Sequence, residues 1–173
     1  MCFFGFAVKK FAKIGLSFFD SPTILKSYLA KRFNLTIVTN DFSITQSLMD
    51  KPQLNLFHTG GLVDKRNYSC VGNSAAMVLR NLNIDIAFIS TSSWDLEHGV
   101  STPHEEKVFV KQTLLEISRR NILISDSSKY GKYGMFRVCS LSSLNDIICD
   151  EKLPLLIQQQ LHELNVELHI VNV

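Results

Sequence analysis

The 173-residue chain has no apolar run of bilayer-spanning length, no CxxC pair and no marked excess of either charge. The first absence argues against a helical membrane span, which needs about 20 apolar residues. The four cysteines, Cys2, Cys70, Cys139 and Cys149, lie far apart, and nothing pairs them with the five histidines at ligand spacing. That excludes a familiar zinc site, and free cysteines inside apolar runs suit a reducing, cytoplasmic compartment. A formal charge of +2 is too small to mark a nucleic-acid or membrane surface. Low-complexity linkers and internal repeats are absent. The opening MCFFGFAVKKFAKIG has its charges behind a short apolar run, the wrong order for a signal peptide. Its Phe3, Phe6, Ala7, Phe11 and Ile14 instead fit a helix that buries one face. With 46% apolar and 20% charged residues, the composition is that of one globular domain with a proper core.

What is present begins at LSFFDSPTILKSYLAKRF, Leu16 to Phe33. A short apolar run ends at Asp20, Ser-Pro-Thr follows, and Ile24, Leu25, Tyr28, Leu29 and Phe33 recur at helical spacing. The pattern predicts a strand, a tight turn and a helix with two hydroxyls at its start. Unpaired N–H groups and the positive end of the helix dipole suit an anion there.

The same grammar repeats along the chain. Strands are expected at Leu35–Thr39, Leu54–His58, Ile84–Ile89, Asn121–Ser125, Phe136–Ser140, Asp146–Cys149 and Glu167–Val171. Helices are expected at Ser43–Met49, Ser74–Asn81, Glu105–Arg119 and Pro154–Leu164, with Pro154 in a first-turn position. Leu62–Cys70 reads as a hairpin or an excursion, and Ser90–His104, rich in Ser, Thr and Gly, as a long loop. Acids open Glu105–Arg119 and Arg closes it, as the helix dipole favours. The alternation predicts an α/β fold with a mostly parallel sheet and helices on both faces. In such sheets ligands bind beyond the carboxyl ends of the strands. The polar strand ends Asp20-Ser21, Thr39-Asn40, Gly60-Gly61, Ser90-Thr91 and Asp126 then share one rim.

In order along the chain stand FFDSPT, IVTND, HTGG, VGNSAA, NIDIAFIS, EHGVSTPHEE with Lys111, and ISDSSKYGK. Each is weak alone; together, from about Lys9 to the C-terminus, the series resembles the C-terminal sensor domain of DeoR-type regulators of bacterial sugar metabolism. The resemblance implies a fold shared with ribose-5-phosphate isomerase and the CoA-transferases. It also implies an effector pocket for a phosphorylated sugar or related metabolite, and a homo-oligomer. Operator DNA would be bound only through a winged helix-turn-helix that normally precedes this domain and is missing here. Residues 1–173 are then a single effector-binding domain, with 1–14 the remnant of a connecting helix. No cofactor, metal or membrane partner is implied.

Ser21 and Thr23 match the phosphate loop of the family beside Asp20. On residues alone they also fit an N-cap followed by Pro at the first helical position. Pro22 stands where the family has Gly, and Ile24 where it has Thr. Each change removes about one hydrogen bond to an anion, on the order of 1.5–3 kcal/mol. Thr39 and Asn40 would face the same rim, or form an ordinary turn. Gly60 and Gly61 fit close backbone approach to a ligand as well as a simple turn. Asp95 matches the family's loop after the Ala-Phe-Ile strand, where Trp94 reads as a lid, a stacking face or a plug. Glu106 and Lys111 lie five apart on one helix and share no tight face. Lys129, beyond a strand end, is a compact charge for a phosphate. His58 and His104 read as rim or structural residues.

Two further function classes compete with a regulatory domain. A sugar-phosphate isomerase needs a carboxylate base and a Lys; Asp20, Asp95, Glu106 and Lys129 are the candidates, and they do not assemble an acid-rich loop. Acyl-CoA chemistry needs a nucleophilic Glu in a Gly-rich context, and none is evident. The expectation is therefore a non-enzymatic, phosphosugar-sensing domain of a repressor.

Overall fold

The computed structural model describes the backbone of residues 15–19, and residues 35–172 with their side chains. Asp20, Ser21, Thr23 and the segment 1–14 lie outside the described residues. Seven parallel strands form the main sheet: β1 (Gly15–Phe19), β2 (Leu35–Thr39), β3 (Leu54–His58), β6 (Ile84–Ser90), β9 (Ser118–Ile124), β11 (Asp146–Asp150) and β12 (Glu167–Val171). Their order is β12-β11-β9-β6-β1-β2-β3. From β1 the chain builds outward to β3, then returns to the other side of β1 at β6. The strand order therefore reverses between β1 and β6, where α/β sheets open a crevice at their carboxyl ends.

Period-two alternation decides which residues meet which layer. Leu35, Ile37, Phe88, Ile122 and Ile148 pack on one face with Ile44 and Leu48 of helix α1 (Phe42–Leu48). On the other face, Val38, Ala87 and Ile89 pack with Ala75 and Leu79 of α2 (Gly72–Leu79) and Val110 and Leu114 of α3 (Glu105–Ile117). Leu123, Ile147 and Cys149 meet Leu161 of α4 (Leu155–Glu163) there. The fold is α/β with helices on both faces of a parallel sheet, as the alternation predicts. Burial pushes the Cys139 thiol up to about 11 and the Cys149 thiol up to about 12. Both act as small apolar filler.

Three local expectations are corrected. Ser90–His104 is not one long loop. It carries β7 (Ser93–Asp95) and β8 (Gly99–Thr102), which with β10 (Phe136–Cys139) form an antiparallel sheet. Its hydroxyls disguise it: Ser93 Oγ lies 3.1 Å from Ser101 Oγ and donates to the Ser101 carbonyl at 3.0 Å, where Thr91 Oγ1 also donates. Mutually satisfied hydroxyls are buried at little cost, so a buried strand pair reads as polar loop. The second correction concerns α3, which ends at Ile117 with Ser118 opening β9 directly, so Arg119 lies in a strand rather than at the helix terminus. The third is Pro154, which is the N-cap of α4, one position before its first turn. The excursion at Leu62–Cys70 is a hairpin of β4 (Leu62–Asp64) and β5 (Ser69–Val71).

Gly99 opens β8 at φ +73°, and a Cβ there would run into the Cys139 carbonyl oxygen and lie 2.9 Å from Ser140 Cα. Gly99→Ala is expected to cost roughly 2–5 kcal/mol, adding left-handed strain to a backbone clash. Urea unfolding followed by the fluorescence of the single Trp checks it; wild-type stability in the variant would contradict the close β8–β10 approach.

Candidate functional site

Beyond the carboxyl ends of β2 and β6 lies a cavity of about 280 Å³. Asn40 and Asp41 enter it from the end of β2, and Ser90, Thr91 and Ser92 from the end of β6. Asn67, Ser69 and Val71 come from the β4–β5 hairpin, Thr102 from β8, Lys107, Val110 and Lys111 from α3, and Lys129 from the loop after β9. Strand β1 lies between β2 and β6, with Phe19 opposite both Thr39 and Phe88. The cavity thus sits at the point where the strand order reverses.

Three lysines converge on it against one carboxylate, Asp41. The Asp41 Oδ1 is engaged as the N-cap of α1, accepting from the Ile44 N–H at 2.9 Å. Lys111 is 5% exposed and its Nζ donates to the Ser90 carbonyl at 2.6 Å. A buried ammonium needs such partners, and here one is a carbonyl at the end of β6. Lys129 Nζ lies 3.9 Å from Asp126 Oδ2, and Lys107 Nζ 4.0 Å from Asp64 Oδ2. Both are long contacts between partly exposed side chains, each worth little by itself. Asn40 is fixed by its own Nδ2, which donates to the Cys70 carbonyl at 2.8 Å, while the Cys70 N–H donates to the Asn40 carbonyl at 2.8 Å. The chemistry on offer is a cationic, hydroxyl-rich cleft, suited to a small anion carrying hydroxyl groups.

Of the residues singled out from sequence, Asn40, Ser90, Thr91, Lys111 and Lys129 line this cavity. Thr39 lies directly behind Asn40, fully buried, its Oγ1 accepting from the Asp41 N–H at 3.1 Å. Glu106 lines a second cavity of about 250 Å³ between the hairpin and the start of α3, together with His104, Lys107, Asp64 and Arg66. Gly60 and Gly61 follow β3 at φ +64° and +116°. A Cβ on Gly61 would meet the Ala75 nitrogen at 3.0 Å, so its close approach is to α2. Asp95 accepts from the backbone N–H of His98, and His98 Nδ1 lies 3.0 Å from its Oδ2. Burial would raise the Asp95 carboxyl, but the His98 bonds outweigh it and hold it below the usual carboxylate value. Neither the two glycines nor Asp95 is among the residues lining the first cavity. Asp20, Ser21 and Thr23 follow directly on β1 and lie outside the described residues.

Trp94 is neither lid nor plug: it is fully buried, its Nε1 donating to Ser125 Oγ at 3.0 Å and Tyr130 edge-on at 5.0 Å. His58 is structural, accepting from the Gly60 N–H through Nδ1 at 3.0 Å and stacking on Phe42 at 4.7 Å.

The residues that sequence reasoning undervalued are Lys107 and Lys111. Lys107, Val110 and Lys111 stand at i, i+3 and i+4, the spacing of one helix face, and all three line the cavity. That spacing was the available signal.

Residues 20–151 match the DeoR C terminal sensor domain. An uncharacterized HTH-type transcriptional regulator of Haemophilus influenzae is 50% identical over 143 residues, covering 83% of this chain and 56% of that protein. A putative aga operon transcriptional repressor of Escherichia coli O157:H7 is 27% identical, over 83% of this chain and 53% of its own. The glycerol-3-phosphate regulon repressor of Escherichia coli K12 is 24% identical, over 87% and 60%. The chain thus spans about half the length of the curated relatives it matches. A ribose 5-phosphate isomerase from Plasmodium falciparum superposes with a TM-score of 0.49 at 13% identity, covering 76% of this chain and 52% of that one. No described helix is long and apolar enough to cross a membrane.

Proposed function

Since the chain belongs to the DeoR C terminal sensor domain family, a regulatory rather than an enzymatic family, we propose that its cationic cavity is an effector site for a phosphorylated sugar or related metabolite, bound without turnover. The observation that carries the reading is the convergence of Lys107, Lys111 and Lys129 with strand-end hydroxyls on one cavity. A phosphate needs charge-assisted donors and a sugar needs hydroxyl and amide partners. Both kinds line this cavity. The relatives named for an aga operon and for a glycerol-3-phosphate regulon support a sugar-derived ligand. Ser21 and Thr23, which come just after β1 in sequence, are proposed as further phosphate donors with Asp20, and Thr39 as support for Asn40; Gly60, Gly61, Asp95 and Glu106 are not among the residues lining the cavity. Operator binding through a preceding helix-turn-helix, a homo-oligomeric state and a cytoplasmic location complete the proposal.

The test is a panel of sugar phosphates, ribose-5-phosphate among them, followed for both thermal shift and turnover. At about 100 times Kd a ligand stabilises by about 2.7 kcal/mol. That corresponds to a rise in Tm of roughly 5–10 °C for a chain of this size. Stabilisation without product, reduced in Lys129→Ala, is the expected result. Isomerisation that disappears in Lys129→Ala would overturn the reading in favour of an enzyme.

A further inference from the structure

The β4–β5 hairpin is held very differently along its two strands. The inner strand β5 is bound to the end of β2: the Phe42 N–H donates to the Tyr68 carbonyl at 2.9 Å, and Asn40 and Cys70 exchange backbone and side-chain bonds at 2.8 Å. The outer strand β4 pairs with β5 over Leu62–Val71, Val63–Cys70 and Asp64–Ser69. It leaves Leu62 at 61% and Val63 at 48% exposure. Residues in the left-handed region stand at both ends of this outer segment, Gly60 and Gly61 before it and Tyr68, at φ +50°, after it. From its turn, Asn67 reaches into the cationic cavity.

Asp64 makes two kinds of contact. Within the turn it accepts from the Arg66 N–H at 3.1 Å and from Asn67 Nδ2 at 2.6 Å, and its Oδ1 lies 3.8 Å from the exposed Arg66 Nε. Across to α3 it faces Lys107 Nζ at 4.0 Å. Lys107 lines both the cationic cavity and the second cavity under the hairpin. It stands between an acidic group on the hairpin and the place where an anion would sit.

The geometry points to a latch: residues 62–68 form a flap tied to α3 by Asp64 and Lys107, and an anion in the cavity releases it by drawing Lys107 away. This inference rests on the effector reading for the identity of the anion, and on the hairpin alone for the tie. A phosphate dianion competes with the Asp64 carboxylate at 4.0 Å because it offers more acceptors at shorter range. Linkage makes the effect reciprocal: whatever weakens the Asp64 contact tightens anion binding. The side chains of Leu62, Val63 and Tyr68 ride on the flap, so its release alters an apolar surface outside the pocket.

Amide hydrogen exchange on wild type, Asp64→Asn and Lys107→Met tests the tie without ligand. The β4–β5 ladder amides are expected to exchange about fivefold faster in both variants, with α2 and the main sheet unchanged. Unchanged exchange in both, or faster exchange throughout the domain, overturns the latch. Acceleration in Asp64→Asn alone also overturns it, because Lys107→Met leaves the Arg66 and Asn67 bonds to Asp64 intact. In a second arm, inorganic phosphate and ribose-5-phosphate are added. Faster flap exchange in wild type, about threefold tighter binding by Asp64→Asn and weaker binding by Lys107→Met are expected. Binding that leaves flap exchange unchanged overturns the latch and spares the effector reading. If neither probe nor any other member of the sugar-phosphate panel binds the wild type, the effector reading fails and the ligand-free arm decides the tie.

Discussion

Lys111→Met is expected to weaken binding of the stabilising sugar phosphate by roughly ten- to hundredfold while leaving the ligand-free domain folded. The factor follows from losing one charge-assisted hydrogen bond, on the order of 1.5–3 kcal/mol. The ammonium is the buried cation of the cavity, held at 2.6 Å on the Ser90 carbonyl. An anion beside it meets a positive charge little screened by water, where electrostatic attraction is strongest. Lys107 and Lys129 are more exposed and their charges count for less. Met keeps the length and apolar stem of Lys, so little buried volume is lost. Removing the ammonium relieves its desolvation cost but takes one donor from the Ser90 carbonyl, a net loss of about 1–3 kcal/mol at most. Thermal melts with and without ligand separate the two outcomes. Wild-type affinity in Lys111→Met would place the anion elsewhere; Lys111→Arg, which keeps the charge, should retain part of the affinity.

Lys111 also shows where sequence reading reached its limit. Strand positions such as Leu35–Thr39, Leu54–His58 and Glu167–Val171 were legible to the residue because β-branched and apolar runs bounded by turn residues leave few alternatives. The layering was equally legible, since period-two alternation follows from backbone geometry. The partnership between helix and strand end was not. A lysine four residues from another is ordinarily a solvated face, and only the packing of α3 over β6 turns Lys111 inward to Ser90. The Ser93–Ser101 pair failed for the opposite reason: its hydroxyls satisfy each other in the interior, which hydropathy scores as exposure. Asn40 was legible as a strand-end amide. Its rigid hold on Cys70, 30 residues away, comes from the hairpin folding back.

Asp146→Asn is expected to cost about 2–3 kcal/mol at neutral pH, with no effect on ligand affinity. Asp146 opens β11 and is fully buried. Arg120 binds it with both arms, Nε to Oδ2 at 2.6 Å and Nη2 to Oδ1 at 2.9 Å, and His169 Nε2 lies 2.8 Å from Oδ1. Breaking a buried pair from one side ordinarily costs about 3–5 kcal/mol. Arg120 is 40% exposed and keeps Glu167 at 3.3 Å, so water and the second carboxylate offset part of that loss. Burial would raise the Asp146 carboxyl, but the bonds from His169 and Arg120 outweigh it and hold it below the ordinary carboxylate value. A depressed folded value means the stabilisation is fully present above the unfolded pKa of about 3.9 and is lost as pH falls through the folded one. The gap between wild type and Asp146→Asn should therefore be constant near neutrality and close progressively below about pH 4. Urea unfolding read by the buried Trp94 at stepped pH measures it, and a gap that persists undiminished into strong acid would remove the carboxylate charge as its source. Asp146 opens β11, and the cavity lies beyond the carboxyl ends of β2 and β6, the opposite rim of the parallel sheet. Ligand affinity is therefore the control: stability should fall while sugar-phosphate binding by the folded fraction stays at the wild-type value, because the ion pairs hold the far end of the sheet and the cavity's cations come from α3 and the loop after β9.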